Sequence, residues 1–272
     1  MKNVFVASAL LLLVAAPAAA QNVTISSAGS YTLGQDSVSW GVYNIYINAS
    51  DVVLDLNGKK VICAPSNPAT AVTIGIYVVS KSRITIKNGS IIGCMFGING
   101  SYSTQLTLDG VDMSDNTYIG ANLAYGSGNV VRQSKFNSIV GYVSEAYAIG
   151  INGIGANGII ENNEFKQVYR QSGASAGKTG EGVGILLEPS ATNVRIRNNT
   201  FINTETRPNT IAIWGADGAT ATITNNSITN FAKGIQGYGP FSVSGNTIRL
   251  TSTFTRAKTV TVVTEPRVVI AV

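Results

Sequence analysis

The chain has 272 residues, 44% hydrophobic and 12% charged, with 19 Lys and Arg against 14 Asp and Glu. An average soluble domain is roughly a quarter charged, and no composition shift along the chain marks a second domain. Histidine is absent, which excludes Ser-His-Asp and Cys-His relays, His-bearing zinc sites and imidazole general bases.

Residues 1–20 read as a signal peptide. Lys2, the apolar run from Phe5 to Val14 and Ala18-Ala19-Ala20 supply a charged start, a hydrophobic stretch and a small-residue cleavage site. The run is shorter than the ~20 residues that span a bilayer, and no later stretch reaches that length. The expectation is an exported chain, periplasmic or secreted, with no membrane span after cleavage and a single domain over residues 21–272. Within it an N-terminal cap is expected over 21–50, coils over 51–250 and a C-terminal cap over 251–272. The tail from Val260 to Val272 is β-prone and interrupted by Pro266, as suits a cap over exposed strand edges.

From Ile86 onward one pattern recurs at intervals of 20 to 36 residues: a hydrophobic residue, a variable one, a small or amide pair, a variable one and a second hydrophobic. Its copies begin at Ile86, Leu108, Val131, Ile160, Ile196, Ile223 and Val243. Upstream of most copies stands a Gly or small residue followed by an apolar and a variable residue, as in Gly75-Ile76-Tyr77, Gly150-Ile151-Asn152 and Ala212-Ile213-Trp214. Such self-similarity signals a solenoid of single-turn repeats, and the alternation in both halves argues strand over helix. The fold class expected is all-β, a right-handed parallel β-helix of about eight coils. In that fold the amide or Gly pair makes the corner, because Gly and Asn tolerate positive φ best, and stacked Asn side chains hydrogen-bond between coils. Val111 breaks the pair pattern, so its coil is expected to turn differently.

Two further elements, Gly29-Ser30-Tyr31-Thr32-Leu33 and Val52-Val53-Leu54-Asp55-Leu56-Asn57-Gly58, complete a resemblance to the right-handed parallel β-helix repeat proteins of the pectate-lyase-like superfamily. The resemblance covers nearly all of the chain after the leader. It implies the fold, while the superfamily resembled includes lyases and epimerases that pair a basic side chain with a cation on the uronate, hydrolases that use several aspartates, and proteins of no established activity. No lyase motif or hydrolase aspartate cluster is matched residue by residue.

Cys63 and Cys94 both fall five residues after Gly58 and Gly89, so a coil-to-coil alignment on those glycines stacks them directly. Alignment on Leu56 and Ile86 sets them one residue out of step. Either spacing suits a disulfide in an oxidising compartment, with two buried apolar thiols as the alternative.

If the apolar residue after each Gly points inward, the next points outward. Tyr77, Asn99, Asn122, Asn152, Leu186, Trp214 and Gln236 then form one outer ladder, with aromatics towards its ends and amides between, suited to sugar rings. Insertions precede Gly150 and Gly184 and carry Glu145, Tyr147, Arg170, Lys178 and Glu181; a third holds Glu205, Arg207 and Pro208. Glu145, Arg170, Lys178 and Glu181 are the candidate catalytic residues, a base beside carboxylates that hold a cation such as calcium or an acid proton. The bland alternative is solvated loops on a tolerant scaffold. Gly173 to Thr179 lacks the spacing of a phosphate loop, and no Lys or Arg cluster exceeds Lys59-Lys60, so nucleic acid is not an expected partner. The function expected is an exported carbohydrate-active protein binding a polysaccharide, anionic ones included, along the first-strand face, with uronate lyase or epimerase chemistry in the loops. A non-catalytic envelope or surface scaffold or adhesin is the alternative.

Overall fold

The computed structural model describes residues 22–64, 72–141, 147–170, 182–249 and 268–270, with the backbone alone at Arg170, 205–208 and 268–270. Among them there is no helix, and 24 strands join in one continuous sheet that winds as a right-handed parallel β-helix. Each turn contributes a strand to three faces. Tyr43–Ile47, Ile74–Tyr77, Phe96–Asn99, Ile119–Asn122, Ala148–Asn152 and Gly182–Leu187 belong to the first face. Val52–Asp55, Val130–Arg132, Ile159–Glu161, Val194–Arg197 and Ala221–Thr224 belong to the second. Lys60–Cys63, Lys135–Asn137 and Glu164–Lys166 belong to the third.

The register follows the repeat. Tyr31, Leu54, Ile86, Leu108, Val131, Ile160, Ile196, Ile223 and Val243 pair in succession, eight steps along the axis. The six from Ile86 to Ile223 are fully buried, each such side chain contributing roughly 1.5–3 kcal/mol. The second hydrophobic of the repeat forms a parallel stack: Phe136 to Phe165 at 4.8 Å and Phe165 to Phe201 at 4.6 Å, ring planes within 8°.

The two positions of the small or amide pair do different work. The first makes the bend, in left-handed backbone at Asn88 (φ 58°), Gly110 (64°), Gln133 (52°), Asn162 (56°), Asn198 (56°), Asn225 (55°) and Gly245 (66°). The second turns inward. Buried Asn199 accepts from the Asn163 backbone N–H and side-chain amide at 3.0 Å each, and itself donates to Asn226, which donates to Asn246. Val111 does not change the turn of its coil, contrary to the sequence expectation. Gly110 keeps the left-handed bend, and Ser134 Oγ accepts the Val111 N–H at 3.1 Å.

The third face aligns Lys60 with Ser90 and Ile62 with Ile92, so Cys63 stands one residue out of step with Cys94. The two form a disulfide with Cα atoms 4.9 Å apart. The segment expected as an N-terminal cap is itself wound as a coil, because Val23–Ile25, Gly29–Thr32 and Ser37–Ser39 all pair in parallel with the next turn. At the other end Val268–Ile270 lies antiparallel on Ile235–Gly237 and closes the first face.

Candidate functional site

The outer surfaces of the faces differ in chemistry. On the second face Asp55, Lys87, Asp109, Arg132, Glu161 and Arg197 follow one another in register. The alternating signs close into ion pairs: Lys87 to Asp55 at 3.4 Å, Arg132 to Asp109 at 2.7 Å and Arg197 to Glu161 at 2.6 Å. Burial raises the Asp55 carboxyl, but hydrogen bonds from the Asn57 N–H, Asn88 and Lys87 outweigh it and hold the group below its ordinary value. At the neighbouring corner the hydrogen bond from Arg83 holds Asp51 down as well. Exposed pairs of this kind contribute little stability individually, but opposite charges directly opposite one another favour one strand register over others.

The first face carries two outer columns. One is the ladder expected from the sequence, Tyr77, Asn99, Asn122, Asn152, Leu186, Trp214 and Gln236, which pair in succession and are extended by Tyr46 on the coil before. All are partly exposed, while Ile76, Ile98, Ala121, Ile151, Ile185, Ile213 and Ile235, one residue before the seven from Tyr77 on, are fully buried. The amides are tied together along the axis. Asn152 Nδ2 donates to Asn122 Oδ1 at 3.0 Å, Asn122 Nδ2 donates to Ser101 Oγ at 3.0 Å, and Ser101 Oγ donates to Asn99 Oδ1 at 2.8 Å. Asn152 Oδ1 and Gln236 Oε1 are buried acceptors without a partner. Such groups are costly to leave unmade in a folded chain.

The second outer column lies three residues earlier and was not anticipated: Tyr43, Ile74, Phe96, Ile119, Ile149, Val183 and Ile211. Ile119, Ile149 and Val183 form an apolar cluster separate from the core, with Phe96, Tyr118, Leu186 and Trp214 packed against it. It escaped the sequence reading because strict alternation puts outward residues two apart. Here Gly120 and Ala121 both face the interior, and a methyl on Gly120 would lie 2.6 Å from the Phe136 ring. At the other end, Tyr43, Tyr46 and Tyr77 cluster with ring centroids 5.4 to 6.1 Å apart. The face is therefore a strip with an apolar column beside an amide column and aromatic groups at both ends.

The residues that flank the two long insertions lie beside this strip. Val140 pairs with Tyr169 and Gly141 with Arg170 where the insertions begin, and Ala148 pairs with Gly182 and Ile149 with Val183 where the coils resume. Glu145, Lys178 and Glu181 lie outside the described residues, as do the Arg170 side chain and the stretch from Gly173 to Thr179. Among the described residues no group of three or more His, Cys, Asp or Glu could hold a metal ion, and several of the carboxylates there are bound to Lys or Arg. Those side chains do not fit a calcium site, and no step is assigned to one. No helix among them is long and apolar enough to cross a membrane.

With the coils and their register in hand, comparison with known proteins is decisive for the family. The model of right-handed β-helix regions matches residues 21–205. The chain belongs to the right-handed β-helix family. Two solved structures of PfbA, a surface adhesin of Streptococcus pneumoniae, are similar to this β-helix chain. One has a TM-score of 0.46 and 13% identity and covers 82% of this chain, which spans 62% of it. The other has a TM-score of 0.46 and 12% identity over 81% of this chain, which spans 66% of it. No curated protein sequence matches the chain significantly.

Proposed function

We propose that this β-helix protein is exported and binds a polysaccharide lengthwise along the outer strip of its first face. The carrying observation is the joining in one strip of a partly exposed amide column, Asn99, Asn122 and Asn152, with an apolar column and Trp214. Sugar rings offer an apolar face and hydroxyl donors, which complement an aromatic or aliphatic surface beside amide acceptors. The ladder repeats at the ~4.8 Å spacing of paired strands, so successive units of a polymer would meet Asn99, Asn122 and Asn152 in turn. The Cys63–Cys94 bridge and the leader-like residues 1–20 support export to an oxidising compartment. Uronate elimination or epimerisation by Glu145, Arg170, Lys178 and Glu181 remains part of this proposal, supported by the matched roots of the insertions beside the strip.

The test is a panel of neutral and uronate oligosaccharides, with and without calcium, followed by calorimetry and by ultraviolet absorbance of unsaturated products. Binding weakened by Trp214→Ala supports the strip, and product formation adds a lyase. A second reading, a non-catalytic surface scaffold or adhesin, is favoured by the self-paired charge column of the second face, which contributes register through three described ion pairs. Silence across the panel would select it.

A further inference from the structure

We infer that Tyr102 and Tyr125 form a second saccharide-stacking site, at the corner between the first and second faces, which takes one ring of the polymer held on the first face. This inference rests on the polysaccharide reading above. The two rings, on neighbouring coils, stack with centroids 5.1 Å apart and planes 17° from parallel. They are 58% and 54% exposed.

The backbone beneath them is the unusual feature. One corner position on successive coils holds Ser80, Tyr102 and Tyr125, all left-handed, with φ of 58°, 60° and 63°. Ser80 shows that a small residue meets the needs of this bend. A bulky aromatic there is an outlier for an L-residue, and two consecutive coils carry it while each tyrosine stays more than half exposed. Burial in the core therefore does not explain the pair, and strain held at an exposed position points to a ligand. Small Ser80 precedes the pair along the axis.

The position selects the ligand class. Tyr102 follows Ser101, the hydroxyl that bridges Asn99 and Asn122 of the amide column. Gly126 and Ser127 follow Tyr125, and Lys81 is the adjacent cation on the preceding coil. A flat apolar platform joined to hydroxyl and amide groups matches the C–H face and ring hydroxyls of a pyranose.

The test is calorimetric titration of the purified chain with hexasaccharides of cellulose, xylan, mannan, polygalacturonate and alginate. The proteins compared are wild type, Tyr102→Phe with Tyr125→Phe, Tyr102→Asn with Tyr125→Asn, and Trp214→Ala. The Phe pair should bind as wild type does, because ring faces and not hydroxyls make the contact. The Asn pair should bind at least about tenfold more weakly, with a melting temperature equal to or above wild type because Asn suits left-handed backbone. If wild type binds and Trp214→Ala weakens it, but the Asn pair binds normally, the corner site is overturned and the first-face strip stands. An Asn pair that melts lower with binding intact makes the tyrosines structural and also overturns it. If no hexasaccharide binds wild type, both readings fall together.

Discussion

The Phe165 ring lies 4.6 Å from that of Phe201 with planes 7° apart, although the longest insertion of the chain separates them in sequence. Such close stacking leaves no room opposite, and the glycines of the first face sit there. A methyl on Gly150 would lie 2.5 Å from the Gly184 carbonyl oxygen and 2.8 Å from the Phe165 ring.

Gly150→Val should accordingly destabilise the protein by more than about 2 kcal/mol, since neither a backbone carbonyl nor a stacked ring can move aside without disturbing the next coil. Gly34 is the control, because nothing lies within 4 Å of a methyl there. Gly34→Ala should leave the urea midpoint within the error of the measurement, and equal effects at the two sites would contradict the packing argument.

The buried amide ladder makes a second prediction. Asn199 accepts from Asn163 twice and donates to the carbonyls of Ile160 and Arg197 and to Asn226. Asn199→Ala leaves several buried groups unpaired and should cost roughly 2–4 kcal/mol in urea unfolding. Asn246→Ala, at the partly exposed end of the ladder, should cost less than half of that because water reaches the freed groups.

Much of this was legible in the sequence, for a reason that separates it from the rest. Corner residues such as Asn162 and Asn198 and inward residues such as Ile151 and Ile185 repeat with each coil, and every coil meets the same steric demand. The outer ladder from Tyr77 to Gln236 followed from that periodicity. The apolar column of Phe96, Ile119, Ile149 and Val183 did not, since the consecutive inward pair Gly120 and Ala121 breaks the period of two. Tyr102 and Tyr125 lie on a corner whose length varies between coils, so no repeat marks them. Their equal offset beyond the Gly-x-Asn strands of their coils was the available signal.

The Cys63–Cys94 bridge closes a separation of 31 residues. On the chain-entropy account a loop of this size contributes about 3–4 kcal/mol. Replacing both cysteines with serine should lower stability by about that amount, equally in the presence and absence of reductant, while reductant should affect wild type alone. Unchanged wild-type unfolding in reductant would argue that the bridge adds nothing to the column.

Acid should find the ion-pair column. Asp55 and Asp51 are both held below their ordinary value of 3.8. A carboxylate depressed in the folded state binds fewer protons there than in the unfolded chain. Its contribution is therefore complete above about pH 4 and is lost as pH falls through the folded value. With no histidine in the chain, nothing with an ordinary side-chain value titrates between about pH 5 and 8, so the unfolding free energy should stay flat there and fall below about pH 4. Asp55→Asn should reduce that acid slope, and 1 M salt should blunt the difference by screening.

Asn152 allows stability and binding to be separated. Its Nδ2 donates to Asn122 Oδ1 at 3.0 Å, whereas its Oδ1 is buried without a partner. Asn152→Leu removes one hydrogen bond, a net loss of roughly 0.5–1.5 kcal/mol, and removes the unpaired acceptor as well, so the two effects should leave stability within about 1 kcal/mol of wild type. Saccharide affinity should nevertheless fall by about tenfold, because the amide column that faces the sugar is interrupted. Asn199→Leu should do the reverse, lowering the urea midpoint sharply while the folded fraction binds as before. If both variants change stability and binding in parallel, the amides of the first face are structural like those of the buried ladder, and the strip loses its claim to a ligand.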